Sequence, residues 1–468
     1  MKQRQKKSLL ATGLIALVVL VCCTVWLCLP RGYERLVPAQ AKAVVRLEPA
    51  HLQQRMGGVR KLARSWGFDS GGIDLDQAVF AFITPNEYVG FAAAISDEDL
   101  FTRQVEKLAA KGQCMPIEKI GGRQWAWLQA GWMLTWDSRS LLILGPGMAT
   151  ERDVLRQTMS RMIDESQPFA STDAYDKMMA QGGDAQLFAQ LDALPAPYNL
   201  LFRLGVPPSC DPASIQVFAH VDLSRRPDGS YRTEIKSELT SDNPDVVRDI
   251  KLYEKGKQCI ERPARAETDN TLFLLATCTQ GKPLLELLRT DATLRGLLMG
   301  LNQTIDADRM LASTNGLLTI EISSLSKDWT PAFCLKAETN AHGLMADADY
   351  WMESAARQPH VELEQKGPAD FRLKSENLTM DFGLRPLKGL LYFAAPHVGT
   401  AADRPWAVSK SHAVEGLHTY FRLNLRKFFA QPCMDASGAT HFLKSLMPGS
   451  HALIYEGRTG GKALLRIE

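Results

Sequence analysis

Residues that could do chemistry are present in this chain, but their spacing assembles no recognised centre. Acyl-transfer catalysis by a serine needs a base and an orienting acid beside it, and a G-x-S-x-G turn would be its local sign. The chain contains neither that turn nor H-E-x-x-H. Its nine histidines are scattered, and the nearest grouping is His397, His412 and His418. His418 opens an expected strand and His412 follows Lys410-Ser411 in a polar loop, which suits packing and surface histidines better than a site. Gly145-Pro146-Gly147 follows an expected strand and precedes a helical pattern, as a phosphate-binding turn would. Pro146 removes a backbone donor, however, and neither a complete G-x-G-x-x-G nor a Walker lysine accompanies it. It reads as a strand-to-helix turn, and Gln280-Gly281-Lys282 reads as a turn with a solvated lysine. No catalytic, cofactor-binding or metal-ligating residue is assigned, and no cofactor is expected.

Cysteine and tryptophan carry the remaining signals. Cys22, Cys23 and Cys28 lie in the N-terminal apolar run, whereas Cys114, Cys210, Cys259, Cys278, Cys334 and Cys433 lie beyond it. An even number permits disulfides in an oxidising compartment. Cys210 and Cys259 sit in polar loops that bracket one hairpin and helix, so they form the candidate pair, with free thiols as the plainer alternative. Cys278 and Cys334 fall in apolar strands, where cysteine behaves as a small hydrophobe. No C-x-x-C spacing supports a zinc or thioredoxin-type centre. The stretch Trp125-Ala-Trp127-Leu-Gln-Ala-Gly-Trp132-Met-Leu-Thr-Trp136 is the densest aromatic run. Alternation places Trp125 and Trp127 on one face of a strand, and Trp132 and Trp136 on one face of its hairpin partner. The two readings are core packing or an exposed platform for a glycan, peptide or partner protein.

The elements that must position these residues recur in order. An extended apolar stretch leading into a helix start appears at 43–52, 185–194, 271–277 and 418–425. The first and third begin 228 residues apart and the second and fourth 233, while the similar runs beginning at Leu134 and Leu378 are 244 apart. Each stretch is followed by two β-rich runs across a turn. These hairpins are 78–83 with 88–92, 215–223 with 231–239 across Pro227-Asp228-Gly229, 317–322 with 332–337, and 452–455 with 463–467 across Thr459-Gly460-Gly461. Ser96-Asp-Glu-Asp99 and Ser241-Asp-Asn-Pro244 mark helix starts before 100–110 and 246–253. Extra strands are expected at 124–128, 132–136 and 140–144, and again at 371–374, 378–382 and 390–394. Asp137 and Asp381 occupy equivalent places in this echo, either as turn-forming residues or as a repeated catalytic carboxylate.

Leu9 to Leu29 is free of charge, and about 20 residues of helix cross a hydrocarbon core. Lys2, Arg4, Lys6 and Lys7 precede the run with no acid, so the positive-inside bias keeps residues 1–8 cytoplasmic. Three fates compete: an uncleaved single-pass anchor, acylation at Cys22 or Cys23, or cleavage after Ala39-Gln40-Ala41, which lies far beyond the core. The first is the expectation, with 30–37 a linker and the body on the periplasmic or extracytoplasmic side of the inner membrane. With the four basic residues of the tail set aside, 50 of the 54 Lys and Arg remain against 52 Asp and Glu, which leaves no footprint for nucleic acid.

The expected architecture is therefore α+β, an N-terminal transmembrane helix followed by two tandem pseudo-repeats of mostly antiparallel sheets covered by helices, at 38–265 and 266–468. The entry Leu36-Val-Pro-Ala-Gln-Ala-Lys-Ala-Val-Val-Arg-Leu47, with a helix expected from Leu52, resembles the opening of large uncharacterised bacterial cell-envelope proteins, domain-of-unknown-function families whose members are usually lipoproteins. That resemblance implies repeated strand-helix-hairpin units and supplies no catalytic residues. The functional expectation is a membrane-anchored, non-catalytic binding or scaffold protein whose partner is another envelope protein or a glycan. A hydrolase acting on envelope polymers and a structural subunit of a transmembrane assembly are the competing classes.

Overall fold

The computed structural model describes residues 32–51, 71–165, 167–194, 198–203, 205–207, 209–225, 231–255, 258–263, 271–290, 292–340, 343–376, 379–385, 388–396, 405–411, 416–434 and 450–468. The apolar run at 9–29, the turn at 227–229, and His397 and His412 lie outside them. Among the described residues no helix is long and apolar enough to cross a membrane. The chain divides into two compact units, Met1–Ala180 and Gln181–Glu468.

In the first unit the elements are β1 (Ala43–Leu47), β2 (Val79–Ile83), β3 (Val89–Ala94), α1 (Glu98–Ala110), β4 (Glu118–Ile120), β5 (Arg123–Leu128), β6 (Trp132–Trp136), β7 (Ser140–Gly145), α2 (Arg152–Asp164) and α3 (Asp173–Ala180). The strands pair antiparallel in the order β1-β2-β3-β7-β6-β5-β4. Helix α1 starts where the sequence places it, because Leu100 N–H donates to the Asp97 carboxylate at 2.8 Å, satisfying an end group that the helix leaves unpaired. Its Phe101 and Val105 pack on the sheet face formed by Ala126, Leu134, Trp136 and Leu141. The Trp136 indole meets the Phe101 ring edge-on at 5.3 Å and donates to Thr102 Oγ1 at 3.1 Å.

The second unit comprises β8 (Ala185–Gln190), α4 (Tyr198–Arg203), β9 (Gln216–Arg225), β10 (Tyr231–Thr240), α5 (Pro244–Lys255), β11 (Cys259–Ile260), β12 (Phe273–Gln280), α6 (Gly281–Thr290), α7 (Ala292–Asn302), α8 (Ala307–Ala312), β13 (Thr314–Leu325), β14 (Pro331–Thr339), α9 (Ala348–Ala356), β15 (Glu362–Gly367), β16 (Asp370–Lys374), β17 (Thr379–Arg385), β18 (Leu390–Ala394), β19 (Lys410–Ser411), β20 (Leu417–Asn424), α10 (Leu425–Phe429), β21 (Ala452–Arg458) and β22 (Lys462–Ile467). Its main sheet is antiparallel throughout. It runs β8-β9-β10-β22-β21-β20-β12-β13-β14-β18-β17-β16-β15.

Two orders within these lists match. β12-β13-β14-β18-β17-β16-β15 reproduces β1-β2-β3-β7-β6-β5-β4 strand for strand, and β20-β21-β22 reproduces β8-β9-β10. The four expected hairpins all form, as β2–β3, β9–β10, β13–β14 and β21–β22. The division of the chain, by contrast, falls after Ala180 rather than near 265. The reason is a pairing of distant segments: Thr233 to Glu238 of β10 lie opposite Ile467 to Lys462 of β22, which binds the β8–β10 strands to the C-terminal ones.

Helices α6 to α9 cover one end of the second unit. Phe371, Phe382 and Phe393 stack across β16, β17 and β18 at 5.4 and 5.9 Å, and Trp351 of α9 meets Phe371 edge-on at 5.8 Å. Leu285, Leu298 and Met310 complete this core from the neighbouring helices. Phe382 is fully buried at the centre of the stack, so Phe382→Ala should cost about 3–5 kcal/mol, read as a lower urea midpoint for the second unit; a loss under about 1 kcal/mol would show that the stack does not support this core.

Candidate functional site

The opposite face of the sheet shows how alternation can bury charge. Successive strand residues point to opposite faces, and direct cross-strand partners share one. Through Ala276–Tyr420 and Tyr420–Glu456, Glu456 shares a face with Leu274, Ala276, Tyr420 and Ile454. These apolar residues form a core with Ile260 and Val408, which belong to a short ribbon in which β11 and β19 pair Cys259 with Ser411 and Ile260 with Lys410. The ribbon lies on this face and seals it.

Glu456 is completely shielded from water and is held by three arginines. Arg466 of β22 donates to Oε1 at 2.6 Å, Arg458 at the end of β21 donates to Oε2 at 2.9 Å, and Arg262 beyond the ribbon lies 2.9 Å from Oε1 and 3.1 Å from Oε2. Burial pushes the carboxyl pKa up, but the hydrogen bond from Arg458 and the charges of Arg466 and Arg262 outweigh it and hold it below the ordinary glutamate value. An isolated buried carboxylate would instead neutralise. The ribbon has two further polar ties. Lys410 Nζ lies 2.5 Å from Glu338 Oε2, and the buried Lys336 donates to Pro405 O at 3.2 Å with its ammonium 6.0 Å from the Trp406 ring centroid.

Between ribbon and sheet a cavity of about 280 Å³ opens, lined by Cys259, Glu261, Arg262, Ser411, Leu417 and Arg458 among others. Arg262 and Arg458 each engage Glu456 through Nη2 alone. A guanidinium carries five N–H donors, so both retain donors beside the cavity. The arrangement is suited to holding a ligand. Among the described residues no group of three or more His, Cys, Asp or Glu is placed to hold a metal ion.

The residues singled out from sequence go elsewhere. Trp125, Trp127 and Trp136 are buried and Trp132 is half-buried against Phe91 at 5.9 Å, so the hairpin packs the first unit's sheet rather than presenting an aromatic platform. Cys210 and Cys259 are separate thiols on opposite faces. Cys210 packs with Leu191, Val206 and Ile215 and lines another cavity of about 330 Å³, whereas Cys259 lies in the ribbon. His418 is buried in β20, its Nδ1 3.1 Å from Thr419 Oγ1. After β7, Gly147 N–H donates to Gly131 O at 2.8 Å, which closes that turn on its own hairpin. Asp137 pairs with Arg123 of β5, and Asp381 takes a bidentate grip from Arg372 of β16 at 2.6 and 2.7 Å. The repeated carboxylate is thus a repeated cross-strand ion pair.

Glu456, Arg458 and Arg466 were not singled out. A signal existed: in Ala452-Leu-Ile-Tyr-Glu-Gly-Arg458, alternation puts Glu456 in step with Ala452 and Ile454, and an acid on the apolar phase of a strand needs buried partners.

The chain belongs to the family described as domain of unknown function DUF4836, whose sequence model matches residues 69–392. No curated protein matches it. Among solved structures, crystal form IV of TP0453 matches at 10% identity and a TM-score of 0.30, covering 44% of this chain and 81% of that one. Crystal form I matches at 9% identity and a TM-score of 0.29, covering 50% and 90% respectively.

Glu456→Gln should lower stability at neutral pH by about 1–3 kcal/mol, because the half-buried Arg458 and Arg466 lose charge-assisted hydrogen bonds to a shielded carboxylate. A carboxyl held below its ordinary value contributes stability that is complete above the unfolded pKa of about 4.3 and is lost as pH falls through the folded value. The gap between wild type and variant should therefore narrow below about pH 4 in urea titrations; a constant gap would mean that Glu456 is not ionised in the folded protein.

Proposed function

We propose that this DUF4836 protein is a membrane-tethered protein of the cell envelope whose exported body is a non-catalytic binding module. The observation that carries the binding role is the cavity under the ribbon, where two arginines with unused donors are fixed by a carboxylate that has no contact with water. Removing Glu456 from water costs several kcal/mol before pairing with the arginines offsets it, and what results is a set of guanidinium donors preorganised for a ligand. About 280 Å³ admits a small molecule, or the terminal group of a glycan or of another envelope protein.

The tether is Leu9 to Leu29, with residues 1–8 in the cytoplasm and the body periplasmic or extracytoplasmic. The body is one plan used twice, at 38–265 and 266–468. Supporting this are the matching strand orders and the cross-strand pairs Arg123–Asp137 and Arg372–Asp381, which fall at the same step of each plan. The two copies meet at the β10–β22 pairing, which joins the third strands of the matching β8–β9–β10 and β20–β21–β22 sets, and again where β11 pairs with β19.

Two measurements check this reading. The mature protein should keep its full N-terminal mass and resist carbonate extraction from membranes, while protease added to spheroplasts should degrade the body. A lipid-modified mature chain starting at Cys22 or Cys23 would replace the anchor by acylation, and a soluble chain starting after Ala41 would overturn the tether. For binding, Cys259→Trp should fill the cavity and abolish capture of envelope material by the full-length protein, with the fold intact by circular dichroism; undiminished capture would move the binding role off this cavity.

A further inference from the structure

We infer that the group recognised in the ribbon cavity is a phosphate carried on a small organic body, held by Arg262 and Arg458. This rests on the binding reading above and names the ligand class for the same cavity.

The charge balance favours an anion. The cavity itself is lined by Arg262 and Arg458 against Glu261, while behind it Glu456 is shared with Arg466, which also pairs with Glu468 at 4.0 Å. Glu456 is already saturated, with both oxygens engaged by the three arginines, so it cannot neutralise a further donor. Among the described lining residues, Glu261 is the acidic group that opposes an incoming anion.

Geometry selects among anions. Arg262 follows β11 and Arg458 ends β21, so their guanidinium groups approach from different elements. A carboxylate offers two acceptors in one plane and is matched by one guanidinium fork. A phosphate monoester offers three acceptor oxygens in a tetrahedral arrangement, which lets two forks engage it at once. The donors that face a ligand are the guanidinium Nη groups of Arg262 and Arg458 that Glu456 does not engage. The volume exceeds that of a phosphate group, and Ile260 and Leu417 supply an apolar wall beside the arginines. Glu456 itself touches no ligand in this scheme; it is a positioning residue that keeps both guanidinium groups from swinging into solvent.

Cys259 lines the same cavity and reports on occupancy. In full-length protein in detergent, alkylation of Cys259 by N-ethylmaleimide is followed peptide by peptide by mass spectrometry, with Cys210 in its separate cavity as the internal control. Glucose 6-phosphate and inorganic phosphate should each slow Cys259 alkylation at least fivefold with a saturable dependence, while glucose leaves it unchanged and Cys210 reacts at the same rate throughout. Arg458→Gln, which leaves Glu456 two arginine partners and so keeps the ribbon seated, should raise the half-protecting concentration of glucose 6-phosphate at least tenfold. Equal protection by glucose would overturn the phosphate inference and leave the cavity as a binding site for neutral ligands. Absence of protection by every probe, or protection unaltered in Arg458→Gln, would also overturn it, and the Cys259→Trp capture experiment would then decide the binding reading independently.

Discussion

A buried carboxylate has to be matched by positive charge, and Glu456 meets that constraint by drawing in arginines from three places. One is on its own strand, one on the neighbouring β22, and one follows the β11 ribbon. A single desolvated charge thereby fixes the end of a strand and the attachment of a ribbon to a sheet. Around it, Ile260 and Val408 supply apolar cover, while Lys410–Glu338 and Lys336–Pro405 tie down the ribbon's other segment. Apolar contact gives the ribbon affinity for the sheet but little preference for one register, whereas charge pairs and directed hydrogen bonds fix its position. The cavity is the space that this fixed placement leaves open.

The same logic separates polar groups that hold the fold from those left available. Arg372 is consumed by Asp381 in a bidentate pair. Arg123 is consumed by Asp137 together with Ser140 and Thr135. Tyr392 and Arg385 both donate to Asp370. Arg262 and Arg458 differ because they share one acceptor with a third arginine, which leaves donors over. Arg152 and Arg156 share Glu118 in the same way, so what sets the ribbon pair apart is the cavity that Arg262 and Arg458 line together.

Much of the local structure was legible in the sequence, because strand alternation and turn residues are short-range signals. Trp132–Trp136 and Leu390–Ala394 are strands with the expected limits, and Asp97 caps α1 where the acidic cluster announced it. The limits of the compact units were not legible, since β10 and β22 meet across more than two hundred residues and no local pattern encodes such a partner. Glu118–Ile120 and Glu362–Gly367 are strands that their polar composition concealed. The tryptophan hairpin was read correctly as a hairpin, but composition alone could not choose between exposure and burial; the packing of Phe101 and Thr102 on Trp136 decides for burial. The site residues were hidden for a related reason. Lys336 and Glu456 interrupt apolar alternation, which resembles ordinary solvent-facing substitution until the covering ribbon, far away in sequence, is put in place.

Glu456 anchors the ribbon on the sheet and so creates the cavity. Native-state hydrogen exchange at the Glu261 amide, which donates to Ser409 O at 2.8 Å within the ribbon, tests it most directly. If Glu456 seats the ribbon, this amide is protected in the wild type and exchanges at least tenfold faster in Glu456→Gln, with the amides of the distant β16–β17 pairing unchanged. Equal protection of Glu261 in both proteins would show that apolar cover alone seats the ribbon, and would contradict the claim.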